Sequence, residues 1–506
     1  MIKDGDTVAT GGFCGAGFAE DLAIHLEERY IETKKPKGLT LVYAAGQGDY
    51  VDRGLNHFGQ EGLVSKAVGG FYGAAPKLSR FVIENKIEAH NFPQGVISHI
   101  FRDIAAHKPR TITTIGLETF VDPRYGGGKT NAMTTDDLVE LVEFDGKEYL
   151  AYKTFPIDVA LLRGTTADEN GNVTLEKEAL TLEVQAMAMA AKNSGGIVIV
   201  QVERVVQAGT LLPKQVEIPG ILVDCVVVAR PEYHWQTFAE VYNPSYSGEL
   251  KIPTESIPPL QLNDRKVIAR RAAFELRPAD VVNLGIGMPE GVSSVANEEG
   301  IFDQITLTAE PGVIGGLPAG GLSFGAATNT DAIVDQPAQF DFYHGGGLDI
   351  TFLGLAQADR HGNLNVSRFG PKLAGAGGFI DISQSAKRVV FLGTFTASGL
   401  KVAIGDGKLK ILQEGKVKKF LKDVEQITFS GAYAVKRNQP VLFVTERCVL
   451  RLTDEGLALT EIAPGVDLET DILANMEFKP VIKKPPRVMD ERIFRDEPMK
   501  LIDSFI

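Results

Sequence analysis

At 506 residues the chain is longer than one hydrophobic core usually reaches, which points to two large domains or three smaller ones. Hydrophobic residues make up 44% and charged ones 23%, an ordinary globular balance that excludes the disordered class. With 52 basic against 65 acidic side chains the net charge is -13, and without a local basic stripe that field repels nucleic acid while leaving a phosphate-bearing small molecule open.

The start, MIKDGDTVAT, lacks the apolar core of a signal peptide, and no apolar run approaches the roughly 18 to 20 residues that span a bilayer. Cys14, Cys225 and Cys448 are too far apart for a disulfide framework or a zinc site. Together these features predict a cytoplasmic protein with no membrane contact and no metal. Leu22, Leu26 and Tyr30 recur every four residues with charges between them, which predicts a helix over 20–30. Gly126-Gly127-Gly128-Lys129-Thr130 imitates the end of a phosphate-binding loop, but the opening glycine of that pattern falls on Pro123, so the match fails.

The segment DVALLRGTTADENGNVTL at 158–175 returns as DITFLGLAQADRHGNLNV at 349–366, aligning Asp158 with Asp349 and Asn172 with Asn363. A weaker pair sets DGDTVATGGF at 4–13 against PADVVNLGIG at 278–287. Ile197-Val198-Ile199-Val200, Val226-Val227-Val228 and Arg388-Val389-Val390-Phe391 are short apolar runs of the kind that form strands buried on both faces. Strands alternating with helices, in two copies, predict two related open α/β domains from an internal duplication. The stretch 241–262, rich in Pro and Ser and without periodicity, reads as the linker. The expected domains are therefore 1–240 and 263–506, the second opening with an amphipathic helix over 266–276.

Gly285-Ile286-Gly287 follows a strand-like run, but the third glycine of a dinucleotide fingerprint, Gly291, comes one place late, so a tight turn is the better reading. The segment ITLTAEPGVIGGLPAGGLSFG at 305–325 differs in kind. Its strand-like run ends at Ala309-Glu310, Pro311-Gly312 turns the chain, and glycine pairs follow at 315–316 and 320–321. Open α/β sheets place ligand groups just beyond the carboxyl ends of their strands, and bare glycine backbone offers N–H groups to a developing oxyanion. A Glu before Pro-Gly also serves as a surface turn residue, so the residue types alone leave both readings open.

Glu310-Pro311-Gly312 with its glycine pairs, FPQGVISHIFRDIAAHKP at 92–109, TFPIDVALLRGTTADENGNVTLEKEALTLE at 154–183 and GTFTASGLKV at 393–402 together resemble the propionate/acetate type of family I CoA-transferases. The likeness runs over essentially the whole chain in the family's order. Members of that family usually carry further residues before the strand that Asp4-Gly5-Asp6 opens here, so a preceding helix is expected to be missing.

The resemblance implies the two-domain CoA-transferase fold and an enzyme that moves CoA between short-chain carboxylic acids, with Glu310 on the second domain as nucleophile and Gln94 reaching from the first as an oxyanion donor. It implies no permanently bound cofactor: coenzyme A is substrate and covalent intermediate, the other partners being acyl-CoA and short-chain carboxylates. A backbone donor is expected from Gly393 or Gly399, and Asn363 resembles the family's CoA-contacting asparagine. Its internal counterpart Asn172 leaves open a structural turn kept in both halves. A homo-oligomer, with a tetramer favoured, is also implied. The alternatives on the same scaffold are an acyl-CoA hydrolase and a CoA-binding regulatory protein. An ordinary glutamate, with a pKa of roughly 4.3, is ionised and ready to attack near neutrality unless burial intervenes.

Overall fold

In the first half the short β-branched runs become β1 (Thr7–Thr10), β2 (Leu39–Tyr43), β3 (Val64–Gly69), β4 (Glu88–Asn91), β5 (Val159–Arg163), β6 (Ile197–Val202) and β7 (Cys225–Val228). They form one sheet in the order β7-β6-β5-β1-β2-β3-β4, every pair parallel. Every residue of β5 is buried, as expected of a central strand covered on both faces. Helix α1 (Glu20–Thr33) buries Ala23, Leu26 and Tyr30 and half-buries Leu22 against the core, so the four-residue spacing marks the covered stripe. Two further helices of this half are α2 (Gln94–Ala105) and α3 (Val184–Asn193).

In the second half β8 (Val281–Leu284), β9 (Thr306–Ala309), β10 (Ile350–Gly354), β11 (Val389–Leu392) and β12 (Val441–Val444) run parallel in the order β9-β8-β10-β11-β12. Antiparallel β13 (Cys448–Thr453) and β14 (Gly456–Ile462) follow. The order β6-β5-β1-β2 of the first sheet thus repeats as β11-β10-β8-β9. A shared anchor explains the sequence repeat: Thr7 N–H at the start of β1 donates to Asp158 Oδ2 at 2.8 Å, and Val281 N–H at the start of β8 donates to Asp349 Oδ2 at 2.9 Å.

The computed structural model describes residues 1–253 and 259–505; 254–258, inside the expected linker, and Ile506 lie outside the described residues. Two compact units emerge, Met1–Ile252 with Ala309–Phe342 and Phe369–Asp381, and Pro253–Thr308 with Tyr343–Arg368 and Ile382–Ile506. They differ from the contiguous division at 240 and 263 because two glycine-bearing segments from the second half satisfy their backbone groups on the first. Tyr72 N–H donates to Ala374 O at 2.7 Å and Gly377 N–H to Gly70 O at 2.7 Å. The start of the expected linker is itself packed: Tyr246 is buried, and its hydroxyl donates to Glu240 Oε1 at 2.8 Å.

The helix expected over 266–276 is α4 (Asp264–Ala273), capped by Asn263, whose side chain accepts from Lys266 N–H. It is not amphipathic as expected, since Lys266, Arg270 and Arg271 are covered too. Lys266 Nζ reaches Glu298 at 2.8 Å, fully buried Arg270 reaches Glu298 at 3.0 Å, and Arg271 reaches Glu461 at 2.7 Å. The positive charges are buried because partners distant in sequence satisfy them.

Candidate active site

Glu310 is the first residue beyond β9, at the carboxyl end of a parallel strand, and Gly312 N–H closes the turn onto Ala309 O at 3.1 Å. The glycine found against its carboxyl is Gly378, where a Cβ would stand 2.8 Å from Glu310 Oε2. The glycine pair at 315–316 does other work: the same construction at Gly315 meets the Asp331 carboxylate, and at Gly316 the Thr328 carbonyl. Gly320 and Gly321 open a short turn, Gly321–Ser323.

Gln94 begins α2 and is buried. Its backbone N–H donates to Gly377 O at 2.9 Å, so Gln94 and Glu310 flank one dipeptide, Gly377-Gly378. Gly95 N–H donates to Asp381 Oδ2 at 3.2 Å, which gives an orphan donor of the first helical turn a buried carboxylate acceptor. Gly95 must lack a side chain there, since a Cβ would lie 2.5 Å from the Phe340 ring and 2.6 Å from Asp381 Oδ1.

Glu310 keeps some exposed surface as a residue, yet its carboxyl is crowded by protein. Burial, seconded by the charge of Asp381, raises its pKa from 4.5 to about 8. Cys14, in the loop after β1, is pushed to about 12 by burial and by Glu310. Burial has thus intervened against the sequence expectation of a carboxylate ionised at neutrality. Asp381, Gly378 and Cys14 were not singled out from the sequence. The run GAGGFID at 375–381 was the available signal for the first two.

The remaining predicted residues lie in the second unit. Asn363 N–H and Nδ2 donate to the two oxygens of Asp359, each at 3.0 Å, and its Oδ1 accepts from Gly431 N–H at 3.0 Å. Asn172 repeats this arrangement on Asp168 and Gly220. Gly393 N–H already donates to Val444 O at 3.3 Å, while Gly399, with φ of 103°, occupies backbone space that only glycine enters freely.

The family model described as Coenzyme A transferase matches residues 1–229. The caffeate CoA-transferase of Acetobacterium woodii is 50% identical over 503 residues, 98% of this chain and 96% of that one. The chain belongs to the coenzyme A transferase family. This CoA-transferase is also 47% identical to the acetate CoA-transferase YdiF of Escherichia coli K12, over 99% of its own length and 94% of the relative's. The crystal structure of the acyl-CoA transferase YdiF apoenzyme from Escherichia coli O157:H7 superposes with a TM-score of 0.94 at 46% identity, covering 99% of this chain and 95% of that one. A second structure of that protein is described as a thioester complex with CoA. Among the described residues of this CoA-transferase, no helix is long and apolar enough to cross a membrane.

Proposed function

We propose that this CoA-transferase exchanges CoA between short-chain acyl-CoA and free carboxylates of the acetate, propionate and butyrate class, through covalent intermediates on Glu310. The observation that carries the reading is a glutamate at a strand's carboxyl end, its carboxyl against bare Gly378 backbone and the helix of Gln94 tied to the same dipeptide.

A Glu310 carboxylate oxygen attacks the thioester carbonyl; the C–S bond breaks, giving an acyl-glutamyl anhydride and the CoA thiolate. The thiolate attacks the glutamyl carbonyl carbon, releasing the first acid as carboxylate and leaving a glutamyl-CoA thioester. A second acid reverses both steps, so the kinetics are ping-pong. A carboxylate with a pKa of about 8 is a stronger base than an ordinary glutamate and the better nucleophile once ionised. The Gln94 amide is the donor assigned to the tetrahedral steps. Of the two glycines we retain Gly399, because the Gly393 N–H is engaged, and we assign Asn363 to the turn it shares in form with Asn172.

Coenzyme A is the substrate and the covalently carried group, and the chemistry calls for no resident cofactor. The compartment proposed is the cytoplasm, in keeping with three free cysteines, and the assembly a homo-oligomer, a tetramer by family likeness, which light scattering reads directly. The similar proteins are named for acetate and for caffeate, so a panel of acceptor acids selects the substrate. The covalent step is tested by incubating with acetyl-CoA or propionyl-CoA, reducing with borohydride and mapping the modified peptide. Modification at Glu310 is expected; full exchange with Glu310 unmodified overturns the reading. Hydrolysis without added acetate at the rate seen with it favours the hydrolase instead.

A further inference from the structure

Helix α5 (Gln336–His344) meets both candidate catalytic residues with buried amides. Gln94 Nε2 donates to Gln336 Oε1 at 3.2 Å, and Gln339 Nε2 reaches the carbonyl of Ala309, the residue before Glu310, at 3.4 Å. The helix is fixed on α2 by several independent ties. Arg102 donates both guanidinium arms to Asp341 at 2.8 and 2.9 Å, His99 Nε2 lies 3.1 Å from Pro337 O, and Phe340 fills the space left bare at Gly95. His99 and Arg102 together hold the Asp341 carboxyl far below the usual range, so the clamp is charged at any working pH. At the helix start Gln336 N–H donates to Leu182 O at 3.0 Å.

Within this framework Gln336 Nε2 is buried and has no hydrogen-bond partner among the described residues. Leaving a buried donor unmet is unfavourable, which a closed structural network would avoid.

We propose that Gln336 is a positioning residue of the transfer reaction, its side-chain carbonyl holding the Gln94 amide in the orientation that the tetrahedral steps require. The proposal rests on the role given to Gln94 above. A misaimed donor loses much of its worth in the transition state while ground-state binding changes little, so the effect belongs in kcat.

The test measures acetyl-CoA to propionate exchange with the full chain and four variants: Gln94→Ala, Gln336→Met, Gln336→Glu and the Gln94→Ala/Gln336→Met double. Gln94→Ala is expected to lower kcat about 100-fold. Gln336→Met, which keeps the shape and loses the acceptor, lowers it about tenfold with KM for acetyl-CoA within about twofold of wild type. Because Gln336 acts through Gln94, the double variant falls within about threefold of Gln94→Ala rather than at the product of the two losses. Gln336→Glu keeps an oxygen at the same reach and recovers most of the loss, and thermal melts of all four establish that the fold is kept. Should Gln336→Met destabilise the chain, Gln336→Leu, which also lacks the acceptor, is taken through the same cycle. Multiplying losses with an impaired Gln94→Ala, or full kcat in Gln336→Met, overturns the role of Gln336 alone; full kcat in Gln94→Ala overturns the assignment of Gln94 and this proposal with it.

Discussion

At the scale of single residues, the carboxyl groups that matter are those whose charge burial opposes. Glu310 stands near 8 because burial and Asp381 both oppose its charge. With Glu310 in its proposed role as nucleophile, kcat/KM for acyl-CoA should climb about tenfold per pH unit below about 8 and level off above it. Initial rates between pH 6 and 9.5 measure this, and an inflection near 4.5 would contradict it. Asp381→Asn removes the second cause, since its amide oxygen still accepts from Gly95 N–H without the charge, and should move the inflection downward. Glu183 is also buried, with no partner for either carboxyl oxygen among the described residues and a pKa raised from 4.5 to about 8. A folded value above the unfolded one means that stability is greatest below 4.5 and is lost as pH rises toward 8. Glu183→Gln should accordingly raise the melting temperature at pH 8 and leave it nearly unchanged at pH 5. Motif and strand position made Glu310 legible in the sequence, but its proton affinity was not, because desolvation depends on side chains distant along the chain.

At the scale of elements, the duplicated sequence reflects duplicated anchoring of strands. Asp158→Ala and Asp349→Ala each strip the acceptor from the first N–H of a central strand, and each should destabilise by about 1 kcal/mol in denaturant titration. The Gly378 backbone has a different role. In Gly378→Ala the added methyl meets the flexible end of Glu310, so the carboxyl shifts while the sheet does not. Activity should fall by about tenfold or more with an unchanged melt, whereas full activity would show that the close approach is dispensable. Strand and helix positions followed from periodicity, as in α1 with Leu26 and Tyr30 buried. The expected amphipathicity of α4 did not hold, because a charge pattern does not announce that Glu298 and Glu461 will come to meet it.

At the scale of the whole molecule, the first unit is completed by Ala309–Phe342 and Phe369–Asp381. A fragment of residues 1–252 loses the acceptors at Ala374 and Gly377 and the Asp341 clamp on Arg102. It should melt at a lower temperature and less cooperatively than the full chain, as circular dichroism would record; a native-like melt would show that the two segments are accessories. The sequence by itself determined the α/β class, the doubled strand pattern, the family and Glu310 as the acid to watch, since these depend on local periodicity and on motifs continuous along the chain. Only the tertiary structure decided that Glu310 packs in one unit with Gln94, that Gly378, Asp381 and Gln336 surround the pair, and that burial lifts its carboxyl above the ordinary glutamate range. Those outcomes arise from burial and from contacts between segments far apart in sequence, which no local pattern encodes.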